Sequence, residues 1–267
     1  MFLRQLSIEF RKTVKHPALW IGLAALLLLL ALFITIHHAQ IRSGFSPSGG
    51  GLAQDLLEGI SFFSWIGGFV YATTASVIAA YDYPNLRLWL TRGLPRQTLL
   101  LARLTVILFV GGSIVLFTML VTLGLSVLSR HLFFGGVDIS RLNIAAILPM
   151  FLRTFWISLP YLGLTVGLAI VSRSPIFAGG SMIVYAVVLE KLLISVSDRY
   201  PLLTRFLPGN LAMALQINYY TIDRTASRPV FDPPLVSEPQ AILAIGMIFS
   251  VLCALSLVIF SRQDLGG

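Results

Sequence analysis

The chain has 267 residues, 57% of them hydrophobic and 11% charged, with a formal net charge of +8. A mean hydropathy of +0.87 excludes an ordinary soluble globular domain and points to an integral membrane protein with several spans. A lone cysteine, Cys253, excludes an intrachain disulfide, and four histidines without cysteine partners disfavour a zinc site.

Residues 1–16 read as a basic amphipathic helix. Phe2, Leu3, Leu6, Phe10 and Val14 recur at three- and four-residue steps, while Arg4, Gln5, Arg11, Lys12 and Lys15 lie mostly elsewhere. Such a helix lies in the membrane interface with its apolar face down and its cations near anionic headgroups. His16-Pro17 breaks it. A signal peptide is the rival, but the apolar run 18–36 is too long and ends in His37-His38 without a small-residue cleavage pattern.

Six apolar runs are long enough to cross a hydrocarbon core, at 18–36, 59–80, 99–128, 144–171, 176–196 and 239–260. Polar connections are expected at 37–58, 81–98, 129–143, 172–175 and 197–238. The expected fold is an all-α membrane domain of six transmembrane helices. An even count puts both termini on one side. Arg4, Arg11, Lys12 and Lys15 before the first span, and Arg87, Arg92, Arg96 and Arg103 around the second connection, outnumber the cations of the first and third connections. The positive-inside rule then places the termini and the 81–98 loop in the cytoplasm of an inner or plasma membrane. This distribution explains the net charge without invoking nucleic acid.

The first outer connection, 42–51, is rich in Ser and Gly. Residues 200–216 alternate apolar clusters with Pro201, Pro208 and Gly209, and read as short interfacial or re-entrant helices. Residues 221–238, with Pro229, Pro233 and Pro234, read as an extended outer loop.

The second connection is the most informative stretch. Pro84 and Asn85 suit the start of a short helix, with Asp82 or Asn85 as its cap. Leu86, Trp89 and Leu90 share a face, Arg87 and Arg92 lie off it, and Gly93 with Pro95 ends it before Arg96. The loop reads either as a docking helix on the membrane surface or as a plain interfacial loop anchored by Trp89.

Among candidates for chemistry, Glu190 late in the fifth run reads either as an interfacial acid or as an acid lining a cavity. Lys191 points away from it and reaches the outer surface. Arg153 reads as interfacial, and the adjacent His37 and His38 lack a visible third ligand for a metal. Gly163 and Gly167 form a GxxxG pattern that permits close helix approach. The sequence contains no HExxH, GxSxG or Walker-type GxxxxGK[ST] motif, so neither hydrolysis nor ATP binding by a P-loop is expected of this chain.

This layout resembles the membrane subunit of an ABC-2-type ABC transporter, the type V exporter fold. The likeness covers the whole chain. It includes a basic elbow helix at 2–15, six spans, a cytoplasmic loop after the second and a long outer segment before the sixth. Locally it rests on the stretch 85–96 running into Leu99-Leu-Leu-Ala-Arg103, and on Phe260-Ser-Arg-Gln-Asp-Leu265. Pro84 and Asn85 stand where the family usually has Gly and Thr. The resemblance implies an exporter permease rather than an enzyme, with ATP and magnesium held by a separate nucleotide-binding subunit. It implies that Asp82, Leu86, Arg87, Trp89, Leu90, Arg92 and Arg96 form a coupling helix docking on that subunit. It also implies pairing with a second copy or a homologous permease. The alternatives, from other classes, are an ion-coupled secondary transporter in which Glu190 is the coupling acid, and a membrane-embedded enzyme or assembly factor without an ATPase partner. The lack of clustered catalytic polar residues disfavours the latter.

Overall fold

The computed structural model describes residues 2–43, 51–80, 95–195, 200, 204–222 and 235–262, with the side chains of 64–69, 71 and 220 excepted. The 81–94 segment, most of the first outer connection, the proline-rich stretch 223–234 and the closing residues 263–267 lie outside the described residues. So do Asp82, Leu86, Arg87, Trp89, Leu90 and Arg92.

The chain runs α1 Phe2–Lys15, α2 Pro17–Arg42, α3 Gly51–Ala80, α4 Arg96–Phe134, α5 Ile147–Ser172, α6 Pro175–Val184, a π-helical turn Tyr185–Leu189, α7 Glu190–Ser195, α8 Pro208–Gln216 and α9 Glu238–Arg262. A short 3-10 turn, Ile144–Ala146, leads into α5, and another, Tyr219–Ile222, follows α8. The described residues contain no strand. Among the described residues, five stretches are long and apolar enough to cross a membrane: α2, α4, Ile144–Ser172, Pro175–Ser195 and α9. The helix α3 has 30 residues, which at 1.5 Å rise spans about 45 Å. It packs on α2, α4, α5 and α6 and is the central element of the bundle.

The radial distribution of side chains is that of a protein in lipid. Large apolar residues stand on the outside, among them Ile21, Leu28, Phe109, Leu120, Leu243 and Met247, each more than half exposed. Hydroxyl residues lie inside: Thr118, Thr122, Ser126, Thr165 and Ser256 are buried. Lipid tails cannot satisfy a hydroxyl, and two of these find a backbone partner one turn back on their own helix. Thr118 Oγ1 donates to the Ile114 carbonyl at 2.8 Å and Thr165 Oγ1 to that of Tyr161 at 2.7 Å.

Helices approach most closely where one lacks a side chain. A Cβ on Gly163 would lie 3.2 Å from Leu252 Cβ, and one on Gly167 3.5 Å from Ser256 Oγ. The two glycines of the GxxxG pattern thus face α9, against which α5 makes its largest contact. Tighter still is Gly59 on α3, where a Cβ would fall 2.4 Å from Thr122 Cγ2 and 3.3 Å from Thr122 Cβ. Thr122 is fully buried and stiff at χ1, so the helices must separate to admit a methyl. Gly59→Ala is expected to lower stability by about 1–3 kcal/mol, read as an earlier thermal midpoint of the purified protein. A midpoint equal to the parent's would show that α3 and α4 are not held this close.

The helices extend beyond the apolar runs. Residues 37–42 and 51–58 were expected in a polar connection, yet they continue α2 and begin α3. Likewise α4 reaches Phe134, past the expected end at 128, and is closed by Gly135 in the left-handed region. Polar side chains that pair with one another across the helices explain the difference. His38 Nδ1 lies 2.6 Å from Ser129 Oγ, and His38 Nε2 is 3.1 Å from Asp55 Oδ1. Arg130 donates to Asp55 through Nε at 2.5 Å and Nη2 at 2.7 Å, and Nη2 also donates to the Gly51 carbonyl at 2.9 Å. His38 and Asp55 are buried to 0% and 2% exposure.

The face that the first helix turns to the rest of the bundle is polar. Gln5, Glu9 and Thr13, a polar stripe at four-residue spacing, turn inward, and Leu3 on the apolar side is 76% exposed. The helix packs on α4. Glu9 Oε2 lies 3.6 Å from Arg103 Nε, and Gln5 Nε2 donates to Glu9 Oε1 at 3.1 Å. The apolar face is left for lipid, and the polar stripe satisfies a buried cation of the bundle.

Candidate functional site

The fifth apolar run is not one continuous α-helix. The α6 helix begins at Pro175, with Ser174 Oγ accepting from the Phe177 N–H as its cap. The π turn Tyr185–Leu189 follows, in which the Glu190 N–H donates to the Tyr185 carbonyl. Such single π turns inside helices are frequent at functional sites.

The Glu190 side chain is 2% exposed. Its Oε2 accepts from the Tyr161 hydroxyl of α5 at 2.7 Å, and its Oε1 accepts from the Gly209 N–H at 2.7 Å. Local sequence explains why α8 meets it. Pro208 is suited to a first helical turn, and Leu207 before it offers no side-chain cap. The carboxylate of Glu190 takes the cap's place, where N–H groups and the helix dipole favour negative charge. A Cβ on residue 209 would lie 2.5 Å from Ile194 Cδ1 and 3.4 Å from Glu190 Cδ, so glycine leaves the room this approach needs. The residues expected as interfacial or re-entrant helices therefore form, at Pro208–Gln216, a helix with a buried face: Asn210, Leu211, Ala214 and Leu215 are buried, and it packs on α5 and α9.

Beside the carboxylate is a cavity of about 200 Å³. Helices α3, α5 and α8 and the Pro175–Ser195 stretch all contribute to its wall, with Ser61, Ser158, Tyr161, Glu190, Lys191 and Gln216 supplying polar groups. Lys191, the neighbour of Glu190, is exposed.

Other sequence candidates fall elsewhere. Arg153 is half-buried and donates through Nε to Glu238 Oε1 at 2.8 Å, while Asn218 bonds the other oxygen of Glu238. Together they fasten α5 to the start of α9. His37 and His38 diverge: His37 Nε2 lies 3.0 Å from Glu58 Oε2, and His38 enters the Asp55 cluster. The cluster of His38, Ser129 and Asp55 contains the residue types of a hydrolytic triad. With His38 fully buried and Asp55 engaged by Arg130, it offers a substrate no approach and serves as a structural tie.

Of the residues around the second connection, Arg96 and Arg103 are described. Arg96 Nη1 donates to the Ser261 carbonyl of α9 at 3.0 Å, and Arg103 Nη1 donates to the Ala79 carbonyl at 2.8 Å. The described residues on either side of 81–94 are therefore tied to the bundle at the end where α1 lies.

Comparison with known proteins finds no protein-family model that matches the chain and no match among curated proteins. The chain is, on its own structure, a multi-span helical membrane protein.

Proposed function

We propose that the chain is the membrane-spanning permease subunit of an ABC exporter of the ABC-2 type. In this reading α3 is a sixth span beside the five, both termini are cytoplasmic, and the 81–94 segment carries the coupling helix. The permease pairs with a second copy or a homologous permease, and ATP is hydrolysed on a separate subunit.

The observation that carries the reading is the anchoring of the described residues on either side of 81–94. They close α3 and open α4 beside α1, and are held by the Arg103–Ala79 and Arg96–Ser261 hydrogen bonds. A partner docked on the segment would thus push on three spans at once. ATP-driven closure acts only by favouring one membrane conformation over another, which requires such a firm contact. A second reading, an ion-coupled transporter, is favoured by the buried Glu190 carboxylate beside its cavity.

Affinity purification of the tagged chain in mild detergent, with mass spectrometry of the co-purifying proteins, separates the two. A P-loop ATPase is the expected companion. Its consistent absence would sink the ABC reading and leave the ion-coupled one.

A further inference from the structure

The hydroxyls around the Glu190 cavity have spent their protons. Ser61 Oγ donates to the Leu57 carbonyl at 2.8 Å, and Ser158 Oγ to the Phe155 carbonyl at 2.6 Å. A hydroxyl has one proton to give, so both oxygens present only lone pairs to the cavity. The Tyr161 proton is committed to Glu190. An ionised carboxylate has about four acceptor sites, and Glu190 uses two of them on Tyr161 and Gly209. The wall is thus rich in acceptors around the buried Glu190 carboxylate, with the Gln216 amide bringing both donors and an acceptor. Its unmet need is for N–H donors with positive charge. Lys191 lines the same cavity but is exposed, whereas Glu190 is buried.

The remaining wall is apolar, with Phe63, Ile157, Ile194 and Met213. A volume of about 200 Å³ exceeds the share of a single water, about 30 Å³, several-fold, and matches a small organic group rather than a bare metal ion.

We propose that this cavity binds an organic ammonium ion, its N–H groups facing Glu190, Ser61 and Ser158 and its hydrocarbon part lying on Phe63, Ile157 and Met213. As a binding site the cavity stands without the transport reading. As a statement of substrate class, an amphipathic amine as cargo, it rests on that reading.

The test is calorimetric titration of the purified full-length chain with n-hexylammonium chloride and, separately, n-hexanol, which matches the chain length without the charge. Saturable binding of hexylammonium, at least about tenfold tighter than hexanol, is expected from a charge-assisted contact with the buried Glu190 carboxylate. Glu190→Gln should weaken it by about tenfold or more. Met213→Lys, at a 58% exposed position on the wall, should abolish it by placing an ammonium in the site while Glu190 remains. Should Glu190→Gln fail to elute as a folded protein, Met213→Lys decides alone. Equal affinity for hexanol, no saturable hexylammonium binding to the parent, or unchanged binding in either folded variant overturns the proposal. A chain that brings down a P-loop ATPase yet binds no hexylammonium keeps the transport reading and loses this one.

Discussion

Arg130→Met is expected to destabilise the bundle by about 3–5 kcal/mol, because it leaves a buried carboxylate without its cation. The Asp55 side chain is 1% exposed and takes two hydrogen bonds from the guanidinium. Its other neighbour, His38, approaches at 3.1 Å and does not replace a bidentate guanidinium. The same logic predicts partial rescue. Asp55→Asn together with Arg130→Met removes both charges, and the neutral amide still reaches His38. The double variant should therefore be more stable than Arg130→Met alone, since the cost of the single change lies mainly in the uncompensated charge. Unfolding in mixed micelles by added SDS, followed by circular dichroism, measures both. An Arg130→Met protein as stable as the parent would show that Asp55 is not ionised in the native bundle.

The second large effect concerns the ATPase partner that the proposed function requires. Replacing Trp89 and Leu90 together by alanine should reduce binding of a co-purifying ATPase by about a thousandfold, if each is an interface anchor contributing about 2 kcal/mol. Trp and adjacent aliphatic side chains on one helical face are the residue types that fill partner grooves, with Arg87 and Arg92 as a polar rim. Arg141→Ala is the control. It is 47% exposed and lies in the connection after α4, away from the 81–94 segment. Loss of the ATPase from the double variant with retention by Arg141→Ala is the expected pair of results. Retention by both would remove the docking role from Trp89 and Leu90.

Hydropathy made the bundle legible because span-length apolar runs have few alternatives in lipid. It could not place the helix ends. His37, His38, Asp55, Glu58 and Arg130 read as connection residues one at a time, and only their pairing across α2, α3 and α4 makes them interior. That pairing joins residues 91 and 75 positions apart, which no local pattern records. The inward stripe of α1 was visible, since Gln5, Glu9 and Thr13 recur every four residues. It was obscured by the stronger basic and apolar signals on the same helix. For Glu190, an acid within an apolar run was the available clue. Its partners Tyr161 and Gly209 come from α5 and α8, and nothing in the sequence foretells the π turn that precedes it.

That turn fixes an angular phase. A π turn holds one more residue than the α turn it replaces, and one residue corresponds to about 100° of rotation on an α-helix. Rewinding Tyr185–Leu189 as regular α-helix, with no residue removed, would abolish that offset. Everything beyond would then swing by that angle, carrying Glu190 away from Tyr161 and the α8 N-terminus and bringing a neighbour such as Lys191 or Leu189 towards them. The extra residue therefore acts as a rotational offset between the two halves of one helix. Winding it in or out would present or withdraw the acid without moving the helices on either side.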